Sequence, residues 1–291
     1  MSKFIKKLTI GIFVGMLFFA LLLLYKSLPY FELLLYGFQP PEMAAAQYTK
    51  KDVVGDMGGM PVRIPYYFAN YLEYEGDPTW GEKRSEPKPT RNYQSKITSF
   101  GFDVRYPDMA GLINDEMYKN RRSYTIYNTP WISVGINAWS TFDGGHQGLE
   151  NSVKALSRYN PELPWSNYKR LPQNVFGLEA YAIHIEKGQE ERYVFEHKDG
   201  KDPVVSIKKY NNDSPDIYVY RHPTNHKVET YIRCNHTKVG QALCQQRFDL
   251  SDDLQVRVRV MYRREELAKW QDIQTAVKKL VLSFKAPIEE K

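Results

Sequence analysis

The side chains with the clearest chemical potential are two cysteines, Cys234 and Cys244, which lie ten positions apart. They flank a turn-like segment between two strand-like runs, where a disulfide can cross a hairpin, and thiols outside the cytoplasm oxidise and stay oxidised. A metal site would instead combine the cysteines with His236 and either His222 or His226. Structural zinc sites usually pair ligands about two to four residues apart on each arm, whereas Cys244 stands alone on its arm. We therefore predict a Cys234–Cys244 disulfide and no metal-binding residues.

A serine, an acid and a histidine also lie close together, at Ser140, Asp143 and His146. Catalytic triads are usually assembled from distant segments of the chain, and this set lies on a turn at the end of a strand. The sequence contains no Gly-x-Ser-x-Gly, no Gly-rich phosphate loop, no His-Glu-x-x-His and no Asx-rich calcium loop. We therefore predict that the protein is not an enzyme, with no catalytic residue and no cofactor, and we identify no small-molecule substrate. An enzyme of unrecognised type stays open as an alternative.

The chemistry that remains is recognition, and it concentrates between residues 60 and 77, where tyrosines stand beside acidic residues. Tyrosine is enriched at protein interfaces, because its ring buries a large area and its hydroxyl finds a partner there. The alternative is that these tyrosines pack in the core. A Pro-rich loop of exposed composition follows at residues 77–89. The residues predicted to bind a protein partner are Tyr66, Tyr67, Tyr71, Glu73, Tyr74, Glu75 and Trp80.

The basic character of the chain comes from its N-terminal end. The formal net charge is +6, but four of the 40 basic residues lie within residues 1–26, which contain no acid. The rest of the chain therefore carries 36 basic residues against 34 acidic ones. A protein that binds nucleic acid is expected to concentrate positive charge on its folded domain. We expect no nucleic-acid partner.

A membrane anchor is predicted for residues 8–25, which form an uncharged, strongly apolar run. Such a helix is about 27 Å long, close to the thickness of a bilayer hydrocarbon core of about 30 Å. No small-residue cleavage site follows directly, so we predict an uncleaved signal-anchor. Three lysines precede the run and Lys26 follows it, which leaves the N-terminus in the cytoplasm. The protein is then a single-pass protein of the inner (plasma) membrane with its bulk in the periplasm.

The elements that position these residues are mostly short strands separated by turn signals, from residue 96 to residue 263. The last of them alternates apolar and polar positions, as a strand with one buried face does. Asp-Gly within residues 198–201 predicts a tight hairpin turn. The predicted inward positions of the last strand are Val256, Val258, Val260 and Tyr262, and they alternate with Arg257, Arg259 and Met261.

Two amphipathic helices are predicted, at Leu149–Tyr159 and Arg264–Ser283. Strands that follow one another with few helices favour an α+β fold, with a mainly antiparallel β domain and a C-terminal amphipathic helix. The predicted organisation is a cytoplasmic tail (1–7), the transmembrane helix (8–25), a juxtamembrane tether (26–55) and an extracytoplasmic globular domain (56–291). A division of that domain into two lobes, 56–160 and 161–291, remains open.

Three stretches carry a resemblance to a known group of proteins: Gly55–Pro78, Lys96–Met109 and Trp270–Phe284. With the N-terminal anchor, they resemble periplasmic proteins of Gram-negative bacteria that are encoded beside type VI secretion effectors, notably the immunity partners of lipase effectors. Many proteins of that group are anchored by a lipid on cysteine, whereas an apolar helix is predicted for this chain. The resemblance implies an envelope protein that binds and neutralises a toxin delivered to the periplasm.

A second hypothesis is a structural or assembly subunit of a cell-envelope complex. In that case the transmembrane helix itself would contact other subunits. Gly11 and Gly15 within the predicted span fit the small-xxx-small pattern of helix association in membranes. Exchanging the span for an unrelated one separates the two hypotheses, because only the assembly subunit depends on the identity of its helix.

Overall fold

The computed structural model describes residues 51–78, 89–125, 128–158, 167–183, 215–235 and 242–287, together with the backbone of 194–196 and 204–206. Residues 46–291 form one compact unit. Within the described ranges no helix has both the length and the apolarity that crossing a bilayer requires. The predicted transmembrane helix, residues 8–25, lies outside those ranges.

A nine-stranded sheet dominates the described part of the chain, and every neighbouring pair in it is antiparallel. This confirms the predicted antiparallel β domain. In spatial order the strands are β3 (Asn70–Tyr74), β4 (Ile97–Arg105), β5 (Trp131–Ala138), β13 (Val256–Arg263), β12 (Leu243–Asp249), β11 (Val228–Cys234), β10 (Asp216–Arg221), β7 (Glu179–Ile183) and β6 (Tyr168–Arg170).

Strand β13 occupies the middle of the sheet although it comes last in the chain. It pairs on one side with β12 and on the other with β5, where Arg259 is the register partner of Gly135. The alternation predicted for this strand is confirmed, because the residues at the predicted inward positions are at most 2% exposed. The β5–β13 pairing therefore joins strands from the two halves of the chain into one sheet.

The main hydrophobic core lies on one face of this sheet. It is covered by the hairpin of β1 (Val53–Met57) and β2 (Met60–Ile64) and by the C-terminal helix α3 (Trp270–Leu282), which follows a 3-10 helix at Arg264–Lys269. The predicted C-terminal amphipathic helix is confirmed. Full burial of an apolar side chain contributes about 1.5–3 kcal/mol to stability, so the apolar stripe along one side of α3 holds the helix against the sheet. Its buried residues are Trp270, Ile273, Val277 and Val281.

Two further helices, α1 (Asp115–Arg122) and α2 (Gly148–Leu156), accompany the sheet. Helix α2 confirms the helix predicted at Leu149–Tyr159: it packs three apolar side chains over β10 and β11 on the face opposite the main core. Helix α1 was not predicted, because none of its residues is buried and it lacks an apolar stripe. Its signals are polar: Asn114 caps it by accepting a hydrogen bond from the Met117 amide.

The predicted disulfide is confirmed. Cys234 at the end of β11 and Cys244 near the start of β12 are direct register partners and are bonded through their sulfurs. Strands β8 (Val194–Glu196) and β9 (Val204–Ser206) pair antiparallel, as expected for the hairpin predicted between them. The turn of that hairpin, residues 198–201, lies outside the described residues.

Candidate protein-interaction surface

The sheet leaves part of its second face uncovered, and we call this part the open face. It consists of the side of β4, β5, β13 and β12 that points away from the main core, together with the exposed Arg233 at the end of β11, which α2 does not cover. Cross-strand pairing sets one row of residues in line across it. From β11 to β4 that row is Tyr231, Arg247, Arg259, Gly135 and Gly101.

Structure stands at both ends of the open face. At one end, α1 is attached to the sheet by a hydrogen bond from Trp131 Nε1 to Asn120 Oδ1 (3.0 Å) and by an ion pair between Arg121 and Asp103 (2.7 Å). At the other end, the segment 139–147 lies against Arg257. Helix α2 covers the neighbouring strands β10 and β11. The open face is therefore a strip of sheet bounded at both ends, and we call this strip the recess and its surface the floor.

Four arginines are concentrated on this floor, and we call them the arginine cluster: Arg233, Arg247, Arg257 and Arg259. Arg257 is a structural member of the cluster. It is 7% exposed, forms an ion pair with Asp249 (2.9 Å), and donates to the carbonyl oxygens of Asp143 (2.6 Å) and Gly145 (2.8 Å). These bonds hold the segment 139–147 against the sheet.

The other three members have different surroundings. The Arg247 guanidinium lies over the buried Tyr231 ring, 4.7 Å from its centroid. Burial lowers the pKa of Arg247, and the neighbouring charges of the other three arginines lower it further. Arg233 and Arg259 are exposed, and in the described part of the chain neither is paired with a carboxylate. The cluster thus presents positive charge that no carboxylate among the described residues neutralises.

Small residues keep the floor low beside these arginines. A Cβ atom built on Gly135 would meet nothing closer than Arg259, at 4.0 Å, so the backbone of β5 is accessible there. Ser133 on the same strand donates to Asp103 Oδ1 (2.5 Å). Met261, which follows in β13, is 38% exposed and adds an apolar patch to the recess. The surface combines fixed positive charge, accessible backbone and one flexible apolar side chain.

Six of the seven predicted partner-binding residues lie on or near β3, at the edge of the sheet beside the open face. Tyr71 is 65% exposed and has a φ of 54°, in the left-handed region that only a few per cent of non-glycine residues adopt. Glu73 points to the open face, where it accepts a hydrogen bond from Ser99 (2.9 Å). Glu75 is exposed and pairs with Lys96 (3.0 Å).

The remaining predicted residues are less available. Tyr74 is 9% exposed, and its hydroxyl donates to the Val54 carbonyl (2.7 Å), as expected for the alternative that these tyrosines pack in the core. Tyr66 and Tyr67 are half-buried and stack edge to face, with ring centroids 5.3 Å apart. Trp80 lies outside the described residues.

The arginine cluster was not recognised from the sequence. The alternation in β13 identified Arg257 and Arg259 as outward residues, but their proximity to Arg247 and Arg233 depends on the order of β13, β12 and β11. That order is a long-range property. The available signal was that all four arginines occupy outward positions of alternating strands.

Of the serine, acid and histidine considered in the sequence, Asp143 and His146 contact residues of β13 and β12. The Asp143 carbonyl accepts a hydrogen bond from Arg257, and His146 Nδ1 lies 3.4 Å from Asp249 Oδ2. The described ranges contain no group of three or more His, Cys, Asp or Glu residues that could hold a metal ion.

A concave region of about 610 Å³ lies on the far side of α2, next to β6 and β7. Its lining is also basic, but Arg221 there is within 3.5 Å of both Glu150 and Glu179. Lys154 and Arg158 on and just after α2 are exposed at its rim. This region therefore carries part of its charge already neutralised, in contrast to the arginine cluster.

No family model matches the chain, and no curated protein matches it. Two solved structures are similar to it. One is Smlt3025, an immunity protein of the Stenotrophomonas maltophilia type IV secretion system, with 17% identity and a TM-score of 0.48 over 82% of this chain and 94% of that one. The other is the iron-regulated outer membrane lipoprotein FrpD of Neisseria meningitidis, with 12% identity and a TM-score of 0.35 over 81% of this chain and 93% of that one.

Proposed function

We propose that the protein is a membrane-tethered periplasmic immunity factor, which binds a toxin delivered by a type VI secretion system and neutralises it by occluding its active site. The observation that carries the proposal is the open face beside β3. Arg233 and Arg259 are exposed there without a carboxylate partner among the described residues, and Tyr71 holds an uncommon backbone conformation at the surface. Arginine and tyrosine are the residue types that dominate the energetics of protein interfaces.

The strained tyrosine adds to the argument. A non-glycine residue with positive φ costs on the order of 1–3 kcal/mol and persists only where its surroundings impose it. Such residues concentrate at binding and active sites. Tyr71 exposes 65% of its surface in this conformation, so burial of its own ring does not offset the strain. In this proposal the backbone conformation of Tyr71 positions its ring for contact with the partner.

The disulfide supports an extracytoplasmic location, because bonds of this kind form and persist in oxidising compartments and are rare in the cytosol. The choice of an immunity role comes from the sequence resemblance to proteins encoded beside type VI effectors. Tethering by residues 8–25 would concentrate the inhibitor at the inner membrane, where a toxin that attacks the bilayer acts. In this proposal the protein acts by binding and not by catalysis.

The experiment is a calorimetric titration of the purified full-length protein, in detergent, against the product of the adjoining gene. We expect a one-to-one complex with a dissociation constant on the order of nanomolar, which corresponds to about −12 kcal/mol. The toxin's enzymatic activity should fall in proportion to the complex formed. A folded protein that neither binds the neighbouring gene product nor lowers its activity would rule out the immunity role and favour the envelope-assembly subunit.

A further inference from the structure

We propose that the arginine cluster of the open face docks an acidic, projecting segment of the toxin. This inference rests on the proposed function and adds to it the binding face and the chemistry of the partner. It is argued from the charge balance of the cluster, from the support that holds its side chains and from the shape of the recess.

The charge balance of the cluster is unfavourable in the free protein. Arg247 and Arg259 are direct register partners on β12 and β13, and like charges directly opposite on a sheet are destabilising. Asp249 lies on the same face, but it is already engaged by Arg257. Among the described residues, Arg233, Arg247 and Arg259 therefore form no ion pair with a carboxylate. Carboxylates of a partner would relieve the repulsion, and the complex would gain ion pairs with these arginines.

The side chains of the cluster are held ready for such carboxylates. Arg247 rests on the Tyr231 ring, and a stacked guanidinium loses less conformational freedom on binding than a free one. The guanidinium group is planar and matches a carboxylate with two parallel hydrogen bonds, which a lysine cannot provide. An arginine-only cluster is thus suited to aspartate and glutamate side chains. The apolar Met261 beside it can adapt to the shape of the partner.

The shape of the recess favours a protrusion over a plane. Helix α1 and the segment 139–147 stand at the two ends of the floor, and the floor is kept low by Gly101 and Gly135. A loop or helix end of a protein can fit between those two ends, whereas an extended lipid surface offers no such projection. Nucleic acid is disfavoured by the balance outside residues 1–26, where 36 basic residues stand against 34 acidic ones.

The test compares two charge reversals of equal size. R233E/R259E reverses two exposed arginines of the cluster, and K154E/R158E reverses two exposed bases on the far side of α2. Each full-length variant is titrated in detergent with the toxin at low and at moderate salt. We expect R233E/R259E to weaken binding by at least about 100-fold, since reversed charges repel the partner. The affinity of the K154E/R158E control should stay within about threefold of wild type, because charges that lie outside an interface change affinity little.

The outcomes separate this inference from the proposed function. If wild type binds and R233E/R259E binds equally well, the docking face is wrong while the immunity role stands. If wild type does not bind the toxin, both are wrong. If wild type prefers phosphatidylglycerol vesicles or a single-stranded oligonucleotide, and R233E/R259E abolishes that binding, the cluster serves another anion and the protein-docking inference is overturned.

A single substitution covers the case in which the double variant fails to fold. R259Q removes one exposed charge without introducing a negative one, so it keeps the core pairing of β13 intact. It should weaken toxin binding by about tenfold or more while leaving the circular dichroism spectrum unchanged. The single variant R259E can also be titrated with toxin variants in which one acidic residue is replaced by lysine. A toxin variant that restores binding to R259E would identify the contact directly. Failure of every such variant to restore binding would contradict the inference.

Discussion

Arg257 and Arg259 lie two positions apart on the same face of β13, and their electrostatic surroundings are opposite. Arg257 is buried, with Asp249 and two carbonyl oxygens around its guanidinium. Arg259 is exposed beside Arg247, with no carboxylate partner among the described residues. Arginine thus has two roles on this strand: Arg257 stabilises the fold, and Arg259 presents charge at the surface.

This difference predicts unequal effects of the same substitution. R257Q leaves Asp249 buried without its cation and should lower the free energy of unfolding by about 3 kcal/mol. R259Q removes a like-charge contact and should leave that free energy unchanged or raise it by up to about 1 kcal/mol. Urea denaturation of both variants measures the two effects. Equal destabilisation by both would show that Arg259 is also structural.

A second prediction concerns the floor of the recess. G135A and G135V add one and three carbon atoms at a position where the nearest atoms of Arg259 are 4.0 Å away, so both proteins should fold. Each added group narrows the access to Arg259. Toxin affinity should therefore fall in the order glycine, alanine, valine, by about tenfold or more at valine.

Titration calorimetry measures the glycine series, and thermal melting checks that the fold is retained. The control is internal, because the size of the side chain is the only change along the series. Equal affinities for all three proteins would place the toxin elsewhere on the surface.

A third prediction concerns the disulfide. Reduction by dithiothreitol should lower the free energy of unfolding by somewhat under about 3 kcal/mol, because the bond closes only a short loop in the unfolded chain. The measurement is the urea midpoint with and without reductant. C234A/C244A is the matched control, and its midpoint should not respond to reductant. A wild-type midpoint that also ignores the reductant would contradict the prediction.

A fourth prediction follows from the buried Tyr74. Burial, partly opposed by Arg91, raises the pKa of Tyr74 to about 12, against about 10 for tyrosine in an unfolded chain. The folded protein therefore holds this proton more tightly than the unfolded one. The stability that the protonated hydroxyl contributes is full below about pH 10 and is lost as the pH rises towards about 12.

Y74F tests this sign. At neutral pH the variant lacks the hydrogen bond to the Val54 carbonyl and should be less stable than wild type by about 1 kcal/mol. From about pH 9.5 to about pH 11.5 the difference in free energy of unfolding should shrink. Over this range the Tyr74 hydroxyl ionises in the unfolded wild-type chain while it stays protonated in the folded protein, and Y74F has no such group. Urea denaturation at several pH values measures it, and a constant difference would contradict the shift.

A fifth prediction separates a binding protein from an assembly subunit. Replacing residues 8–25 by an unrelated signal-anchor of equal length should preserve protection of cells that receive the toxin, because tethering needs only an apolar helix. Removing the span, so that the domain stays in the cytoplasm, should abolish protection. Survival in a competition assay measures both. Loss of protection after the exchange alone would indicate that the helix makes specific contacts.

The sequence predicts local structure well wherever an apolar pattern is strong. The two-residue period of Val256, Val258 and Val260 predicted the buried side of β13, and the stripe of Trp270, Ile273 and Val277 predicted helix α3. Both patterns depend on residues that are near neighbours in the chain. The disulfide was predictable for the same reason, because its cysteines lie only ten positions apart in the chain.

Long-range arrangement was not predictable from one sequence. Nothing in the residues around Gly135 indicates that β5 pairs with β13, so the alignment of Arg247, Arg259 and Gly135 could not be foreseen. Tyr71 was expected at an interface, and its exposure is compatible with that role. Its positive φ arises from an irregular register between β3 and β4, a feature that no composition pattern carries.

The central place of β13 also has a consequence for export. The recess is assembled half from β4 and β5 and half from β12 and β13, so on the proposed export route it would not exist until the last strand had left the translocation channel. Pairings between distant segments form late, and until then the edge of β5 stays unpaired. A copy clipped before Val256 would keep its predicted anchor and yet offer no docking floor. On the proposed function, such copies would occupy the membrane without binding the toxin, so protection would require the complete chain and not insertion alone.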